Sequence, residues 1–187
     1  MDRLSMLSHD QMTTEQRAAA QAVIDGPRGA VYGPFVPLLR SPELMECAQR
    51  MGEYLRYRSA IGTRLSELAI LVTARAWDQQ VEWAIHAPIA LQVGIAQENI
   101  DAIAARRRPL AMLADEAAVY DFCVALHTHK RVPDLEYAKA LALFGEQGVI
   151  DLVGINGYYT FLAMVMNAAQ TPAPVSPAAP LPDLSLG

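Results

Sequence analysis

The 187-residue sequence predicts an all-α domain of about eight helices. Apolar residues recur at intervals of three and four along most of the chain, and helix-starting residues precede these runs. No stretch alternates apolar and polar residues with the β-branched enrichment that is typical of strands. Charged residues make up only 19% of the chain, against about 25% in an average soluble domain, so several helices must be apolar on more than one face.

The first third of the chain predicts two helices joined by an irregular segment. Asp10 and Thr13-Thr14 precede a polar, alanine-rich run that is typical of a capped helix, and residues 25–29 (Asp-Gly-Pro-Arg-Gly) bring that helix to an end. Residues 33–37 are predicted as an extended connector, because each proline restricts the residue before it. Ser41 and the proline that follows it then predict the cap and first turn of the next helix.

The middle of the chain predicts the core. Arg64 to Trp77 is apolar nearly all round, so this helix should lie in the centre of the fold. Asp78 can cap a helix from Gln79 to about Val93, and Pro88 should kink or restart that helix because proline removes a backbone donor. Four further helices are predicted, at residues 97–106, 115–128, 134–144 and 147–167.

The C-terminal part raises the question of a membrane span. Residues 152–169 carry no charge, but two asparagines, a glycine and two tyrosines dilute them, so a helix buried on all sides is the better interpretation. Residues 171–187 hold five of the twelve prolines and read as a linker or arm. We therefore predict one helical domain over residues 1–170 and a proline-rich tail over residues 171–187.

Composition excludes several classes of function. The net charge of −5 argues against a nucleic-acid partner, which needs clustered Lys and Arg. Cys47 and Cys123 lie far apart with no metal-binding spacing, so we expect two thiols in a reducing cytoplasm rather than a disulfide or zinc site. No secretory signal pattern is visible at the N-terminus.

Three ionisable residues stand out on the predicted central helices. Glu67 lies one turn into the most apolar helix, while Glu82 and His86 share a face of the next helix with Gln79. A buried carboxylate is costly unless it is paired or protonated, and a Glu beside a His can orient the ring for proton transfer. A network that only locks two helices together is the alternative, and a metal held by these three side chains is a weaker one.

At these residues the sequence resembles the carboxymuconolactone decarboxylase family. The resemblance starts at residues 26–29 and 33–35, includes Glu-Trp-x-x-His at residues 82–86 with a Glu fifteen residues earlier, and ends at Gly157-Tyr-Tyr. It implies an all-helical alkylhydroperoxidase-D-like fold that assembles into trimers or hexamers. The redox members carry Cys-x-x-Cys-x-x-x-His, and aligned on His86 their two cysteine positions are Gln79 and Glu82 here. The acid–base partners are thus kept and both redox sulfurs are lost.

The resemblance also implies a reaction, the cofactor-free and metal-free loss of CO2 from a small lactone dicarboxylate. Such a site must stabilise the anion that forms and then protonate a carbon. His86 is the candidate acid or base, Glu82 its orienting partner, and Glu67 a relay or second base. Candidates for holding the substrate are Arg28, Tyr32, Arg64, Arg75, Gln79, Trp83 and Tyr159.

Two other functions remain open at this point. A thiol peroxidase would have to use Cys47 or Cys123, although the paired cysteines of the redox motif are absent. A non-catalytic oligomer that binds a ligand would need only the network around His86. In every case we expect a small-molecule ligand and self-association, because one chain has limited interior for so many apolar faces.

Overall fold

The structure, a computed structural model, describes residues 2–183. A short 3₁₀ turn precedes the helices, and no strand occurs in this part of the chain, which confirms the all-α prediction. The helices are α1 (Thr14–Asp25), α2 (Phe35–Leu38), α3 (Pro42–Tyr57), α4 (Gly62–Ala76), α5 (Gln80–Gln92), α6 (Gln97–Ala104), α7 (Ala114–His129) and α8 (Asp134–Ala169).

Helix α4 is the centre of the fold, as the sequence predicts. Every residue from Leu65 to Arg75 is buried, and α4 contacts α3, α5, α6, α7 and α8. This explains why the helix is apolar nearly all round, since each of its faces meets a neighbour. It also explains why an ionised side chain on α4 needs a partner from another helix.

Several local predictions are wrong. Residues 35–38 form α2 rather than an extended connector, because a proline in the first turn of a helix needs no backbone N–H. The predicted start of α3 is confirmed, with Ser41 at the N-cap and the proline in the first turn, although the Ser41 side chain makes no capping bond. Asp78 does not cap α5 either: it has a left-handed φ of 49°, and the cap is Gln79, whose Oε1 accepts from the N–H of Val81.

Helix α5 runs unbroken through Pro88, so the predicted restart does not occur. A proline at position 88 leaves the carbonyl of Ala84 without its usual helical donor. Ser176 of the tail supplies one instead, and its hydroxyl donates to Ala84 O over 2.7 Å. The helix that carries Glu82 and His86 therefore depends on a segment almost ninety residues further along the chain.

Helix α8 consists of two helical parts that meet at Gly145, whose φ of 66° and ψ of −179° are not helical. The break falls between the two helices predicted at residues 134–144 and 147–167. We expected the second part to be buried on all sides, and this prediction is wrong, because Ile150, Val153 and Met164 are exposed.

By length and composition alone, α8 is the one helix among the described residues that could cross a membrane, with a window of mean hydropathy 1.5. Of that window, 56% is buried inside the chain. Core helices of soluble proteins have the same length and composition, so these two properties are weak evidence for a span.

The tail, described here over residues 171–183, forms no helix and packs on α5 of its own chain. Leu181 is only 4% exposed and belongs to the core. Its backbone N–H and C=O both pair with the side-chain amide of Gln80. The tail thus covers one face of α5, while Glu82 and His86 lie on the other.

Candidate active site

His86 lies between two carboxylates at the contact of α4 and α5. Its Nδ1 is 2.6 Å from Oε2 of Glu67 on α4, and its Nε2 is 3.2 Å from Oε2 of Glu82, one turn earlier on α5. All three residues are at most 3% exposed. The spacing of Glu82 and His86 puts them on one face, and the packing of α5 on α4 brings Glu67 to the other side of the ring.

The two carboxylates make His86 a cation at neutral pH. Burial by itself lowers the pKa of His86, but the charge and hydrogen bond of Glu67, and then those of Glu82, outweigh burial and raise that pKa to about 9. Both ring nitrogens then carry protons, and each N–H donates to a carboxylate. Tyr159, which packs edge-on against the ring with centroids 5.2 Å apart, stays protonated because burial and both carboxylates raise its pKa.

Each carboxylate keeps one oxygen without a hydrogen bond. Oε1 of Glu67 and Oε1 of Glu82 are both buried and lack a partner. The nearest cation to Glu67 Oε1 is Nε of Arg56 at 3.7 Å, which is an ion-pair distance but too long for a hydrogen bond. Unfilled acceptors of this kind are rare in protein interiors, and a catalytic role or a bound water or ion is a common reason for them.

A narrow cavity of about 270 Å³, mouth included, opens onto His86 and Glu82. Two arginines and two tyrosines supply most of its polar wall, and the free interior has room for roughly one water molecule. It is lined by Arg28, Tyr32, Pro34, Arg56, Glu82, Ile85, His86, Tyr159 and Leu162.

Arg28 is held in place by α3 and α8. Its Nε donates to Oε1 of Gln49 over 2.6 Å, Nη2 lies 3.4 Å from Tyr158 Oη, and the guanidinium stacks 4.3 Å above the ring of Phe35. These contacts present a fixed cation at the cavity. Arg28, Arg56 and the imidazolium of His86 are cations, and the two carboxylates are anions, so the site carries one net positive charge.

The structure places five of the ten site residues predicted from the sequence in the cavity wall, Glu67 buried behind it, and the other four elsewhere. In the wall are Arg28, Tyr32, Glu82, His86 and Tyr159, where His86 is the residue that joins the others to Glu67. The cation Arg56 was missed. Its signal is the placement of Gln49, Gly52 and Arg56 on one face of α3, at a spacing of three and four residues.

The remaining predicted residues make other contacts. Gln79 is the cap of α5 and donates to Asn167. Trp83 lies under the tail and donates to Ala179 O. Arg64 pairs with Asp115 and Glu116, whereas Arg75 pairs with Asp78 and donates to Pro182 O.

No arrangement of three or more His, Cys, Asp or Glu side chains suited to a metal ion is found within residues 2–183. Both nitrogens of His86 already face carboxylates, which leaves no lone pair for a metal while the ring is cationic.

Solved structures with the same architecture are alkylhydroperoxidase-D-like proteins. A peroxidase-related protein with an AhpD core from Ralstonia eutropha JMP134 superimposes with a TM-score of 0.74 at 14% identity, covering 92% of both chains. The debrominase Bmp8 bound to 2,3,4-tribromopyrrole gives 0.71 at 13% identity, covering 92% of this chain and 91% of the other. An AhpD-named protein of unknown function from Agrobacterium tumefaciens gives 0.62 at 15%, covering 74% and 96%. The fold is therefore alkylhydroperoxidase-D-like.

Residues 42–125, which contain Glu67, Glu82 and His86, match the model of the carboxymuconolactone decarboxylase family. The resemblance stated from the sequence is thereby confirmed. No curated protein matches the chain.

Proposed function

We propose that this protein is an enzyme that moves protons on a small anionic metabolite, with a carboxy-lyase reaction of the carboxymuconolactone decarboxylase type as the specific activity. The observation that carries the proposal is a buried histidine whose two ring nitrogens face carboxylates from different helices, at the base of a cavity. Family members and fold neighbours include enzymes, which supports a catalytic reading of this geometry.

His86 is the proton donor in this proposal. A group with a pKa of about 9 is protonated at pH 7 and can give its proton to a developing carbanion. Glu82 lines the same cavity and its Oε1 has no hydrogen-bond partner, so in this proposal it accepts a hydrogen bond or a proton from the substrate. Glu67, behind the ring, holds the orientation of His86 and stabilises its charge.

The cations at the cavity select the substrate. Arg28 and Arg56 both line the cavity, and guanidinium groups bind carboxylates through paired hydrogen bonds. The cavity is too narrow for a lactone as it stands, so the partly exposed Tyr32 at its wall must move when the ligand enters.

Decarboxylation fits these parts without a metal or organic cofactor. The bond to the carboxylate breaks and CO2 leaves, while the electron pair passes through the ring double bond to the lactone carbonyl. Arg28 or Arg56 stabilises the resulting dienolate, and the N–H of His86 then protonates a ring carbon. The imidazole regains its proton from water.

The test is turnover of carboxymuconolactone by the full-length chain and by its variants. We expect H86Q to lower the rate by about 10² to 10⁴, which is the usual contribution of a general acid, and H129Q, at an exposed position on α7, to have no effect. Equal rates for H86Q and the parent protein would refute His86 as the proton donor. No turnover of any lactone by the parent would refute the specific activity, and would favour the non-catalytic, ligand-binding alternative.

A thiol peroxidase receives less support. Burial raises the pKa of Cys123 to about 12, so its thiolate is scarce at neutral pH. Cys47 is exposed on α3 and does not line the cavity. Replacement of both thiols in C47S/C123A should leave the activity unchanged, and hydroperoxide reduction that this double variant loses would favour the peroxidase.

We further propose that the protein works as a homo-oligomer, a trimer or hexamer, in the cytoplasm, with neither nucleic acid nor membrane as a partner. The exposed apolar side chains of α8 support self-association, and the acidic composition supports the absence of a nucleic-acid partner.

A further inference from the structure

The tail touches α5 opposite the candidate catalytic residues. Four hydrogen bonds join the tail to three α5 residues: two to Gln80, one to Trp83 and one to Ala84. Positions 80, 83 and 84 share one face of a helix, and positions 82 and 86 share the opposite one. The tail and Glu67 therefore hold α5 from opposite sides.

The hydrogen bond from Ser176 replaces a backbone hydrogen bond that α5 lacks. Pro88 has no N–H, so the carbonyl of Ala84 cannot make its helical bond. The hydroxyl of Ser176 donates to that carbonyl over 2.7 Å, and its oxygen accepts from the N–H of Ala178 over 3.1 Å. Since this second contact fixes the hydroxyl, its hydrogen is directed at Ala84.

The turn that Ser176 completes is the turn that carries His86. Ala84 lies between Glu82 and His86 along the chain, and Pro88 follows His86 by two residues. A turn of helix without its hydrogen bond bends or opens toward solvent. Either movement shifts the His86 ring relative to Glu67, which is fixed on the buried helix α4.

We propose that the tail is a positioning element of the candidate active site, in which Ser176 supplies the hydrogen bond that Pro88 removes and so keeps His86 in register with Glu67. Leu181, buried and paired twice with Gln80, anchors the tail so that Ser176 reaches Ala84. The inference rests on the proposed function only in taking the Glu67–His86–Glu82 contacts as the working part of the site.

The test is an NMR titration of the His86 ring in the full-length protein, with its signal assigned by its absence in H86Q. We expect S176A to lower the pKa of His86 by about one unit, because the ring moves away from the carboxylates that raise that pKa. S176T keeps the hydroxyl and should restore the parent value, and S5A, at an exposed serine, should not change it.

A second pair of variants, which both carry P88A, separates a positioning role of Ser176 from an effect on the stability of the fold. In P88A the alanine introduced at position 88 restores an N–H for Ala84 O, so the hydroxyl of Ser176 becomes redundant. The pKa of His86 should then be the same in P88A and in P88A/S176A. This pair also keeps the proposal testable if S176A alone does not fold, because the double variant has its helical bond back.

The outcomes distinguish the two proposals. A folded S176A whose His86 titrates as in the parent, even with a lower melting temperature, would overturn the positioning role. A difference in the pKa of His86 between P88A and P88A/S176A would show that Ser176 does not act by replacing the hydrogen bond that Pro88 removes. If His86 titrates near 6.5 in the parent itself, the paired site fails, and with it the proposed function.

Discussion

His86 is the residue on which the account depends, and its environment sets what it can do. Two carboxylates hold its pKa near 9, so it rests as an acid rather than as a base. Sequence spacing predicts the pair Glu82–His86 because both lie on one helix. Because Glu67 lies on a buried helix, the sequence predicts that it needs a partner. Spacing along the chain cannot identify this partner, because the contact depends on how α5 crosses α4.

The ionised state of His86 also makes stability depend on pH. A histidine whose folded pKa lies above its unfolded value of about 6.5 stabilises the fold below pH 6.5, and the stabilisation is lost as pH rises through about 9. We expect the free energy of unfolding to fall by at most about 3 kcal/mol over this range.

Urea denaturation of the parent and of E67Q between pH 6 and 10 measures this effect. In E67Q the charge that raises the pKa of His86 most is gone, so the loss over the same range should be smaller. An equal pH dependence in both proteins would show that Glu67 does not hold the imidazolium.

Gly52 gives a second prediction for a single residue. It lies where α3 meets α8, and a Cβ there would overlap Tyr158 Oη and lie 2.8 Å from Nη2 of Arg28. G52A should therefore destabilise the fold by about 1 to 3 kcal/mol in urea denaturation. G157A is the matched control, because position 157 of α8 has no atom within 4 Å of an added Cβ. It should be neutral or stabilising by up to about 1 kcal/mol. Equal effects of the two substitutions would refute the close approach at Gly52.

The helices themselves were largely predictable, and the errors lie at their ends. Helices with a clear apolar period, such as α4 and α7, appear where the pattern places them. The residues at 35–38 and at Asp78 were misread, because proline and aspartate each suit two local roles and tertiary contacts choose between them. Asp78 takes its place through ion pairs with Arg75 and Arg106 rather than as a cap.

Helix α5 shows what sequence cannot foresee. The restart expected at Pro88 assumed that the carbonyl of Ala84 stays without a donor, whereas Ser176 supplies one from the far end of the chain. The two positions that the resemblance aligns with the cysteines of the redox motif have different surroundings here. Gln79 is the helix cap, and Glu82 contacts His86.

The break in α8 yields a prediction at this scale. Gly145 has a φ of 66° with an extended ψ, a conformation open in practice to glycine alone. G145A should cost about 1 to 3 kcal/mol of unfolding free energy, measured by thermal or urea denaturation with G157A again as the control. A neutral G145A would mean that the two parts of α8 can join into one straight helix.

At the scale of the whole molecule, the low charge content has two causes. One is the buried helix α4, and the other is α8, on which several large apolar side chains are exposed in the single chain. Exposed apolar patches of a protein often mark interaction sites, so we expect part of α8 to pack against another copy of the chain. The large apolar side chains exposed on α8 are Leu135, Tyr137, Leu141, Leu143, Ile150, Val153 and Met164.

Self-association through α8 is testable by light scattering. We expect the measured mass of the parent protein to be a multiple of its chain mass of 20.4 kDa. Ile150 is 68% exposed, and I150D should shift the measured mass toward that of the monomer. I24D places the same charge on α1, at 42% exposure, and should leave the mass unchanged. A parent protein that stays monomeric at high concentration would contradict self-association through α8.

The protonation of the two ring nitrogens of His86 at pH 7 shows whether Glu67 and Glu82 hold a buried imidazolium. Nitrogen NMR of the parent protein, with H86Q to assign the signal, reports both nitrogens at once. We expect both to carry protons at pH 7 and the ring to lose one near pH 9. A neutral ring at pH 7, with one bare nitrogen, would show that the two carboxylates do not hold His86 as a cation.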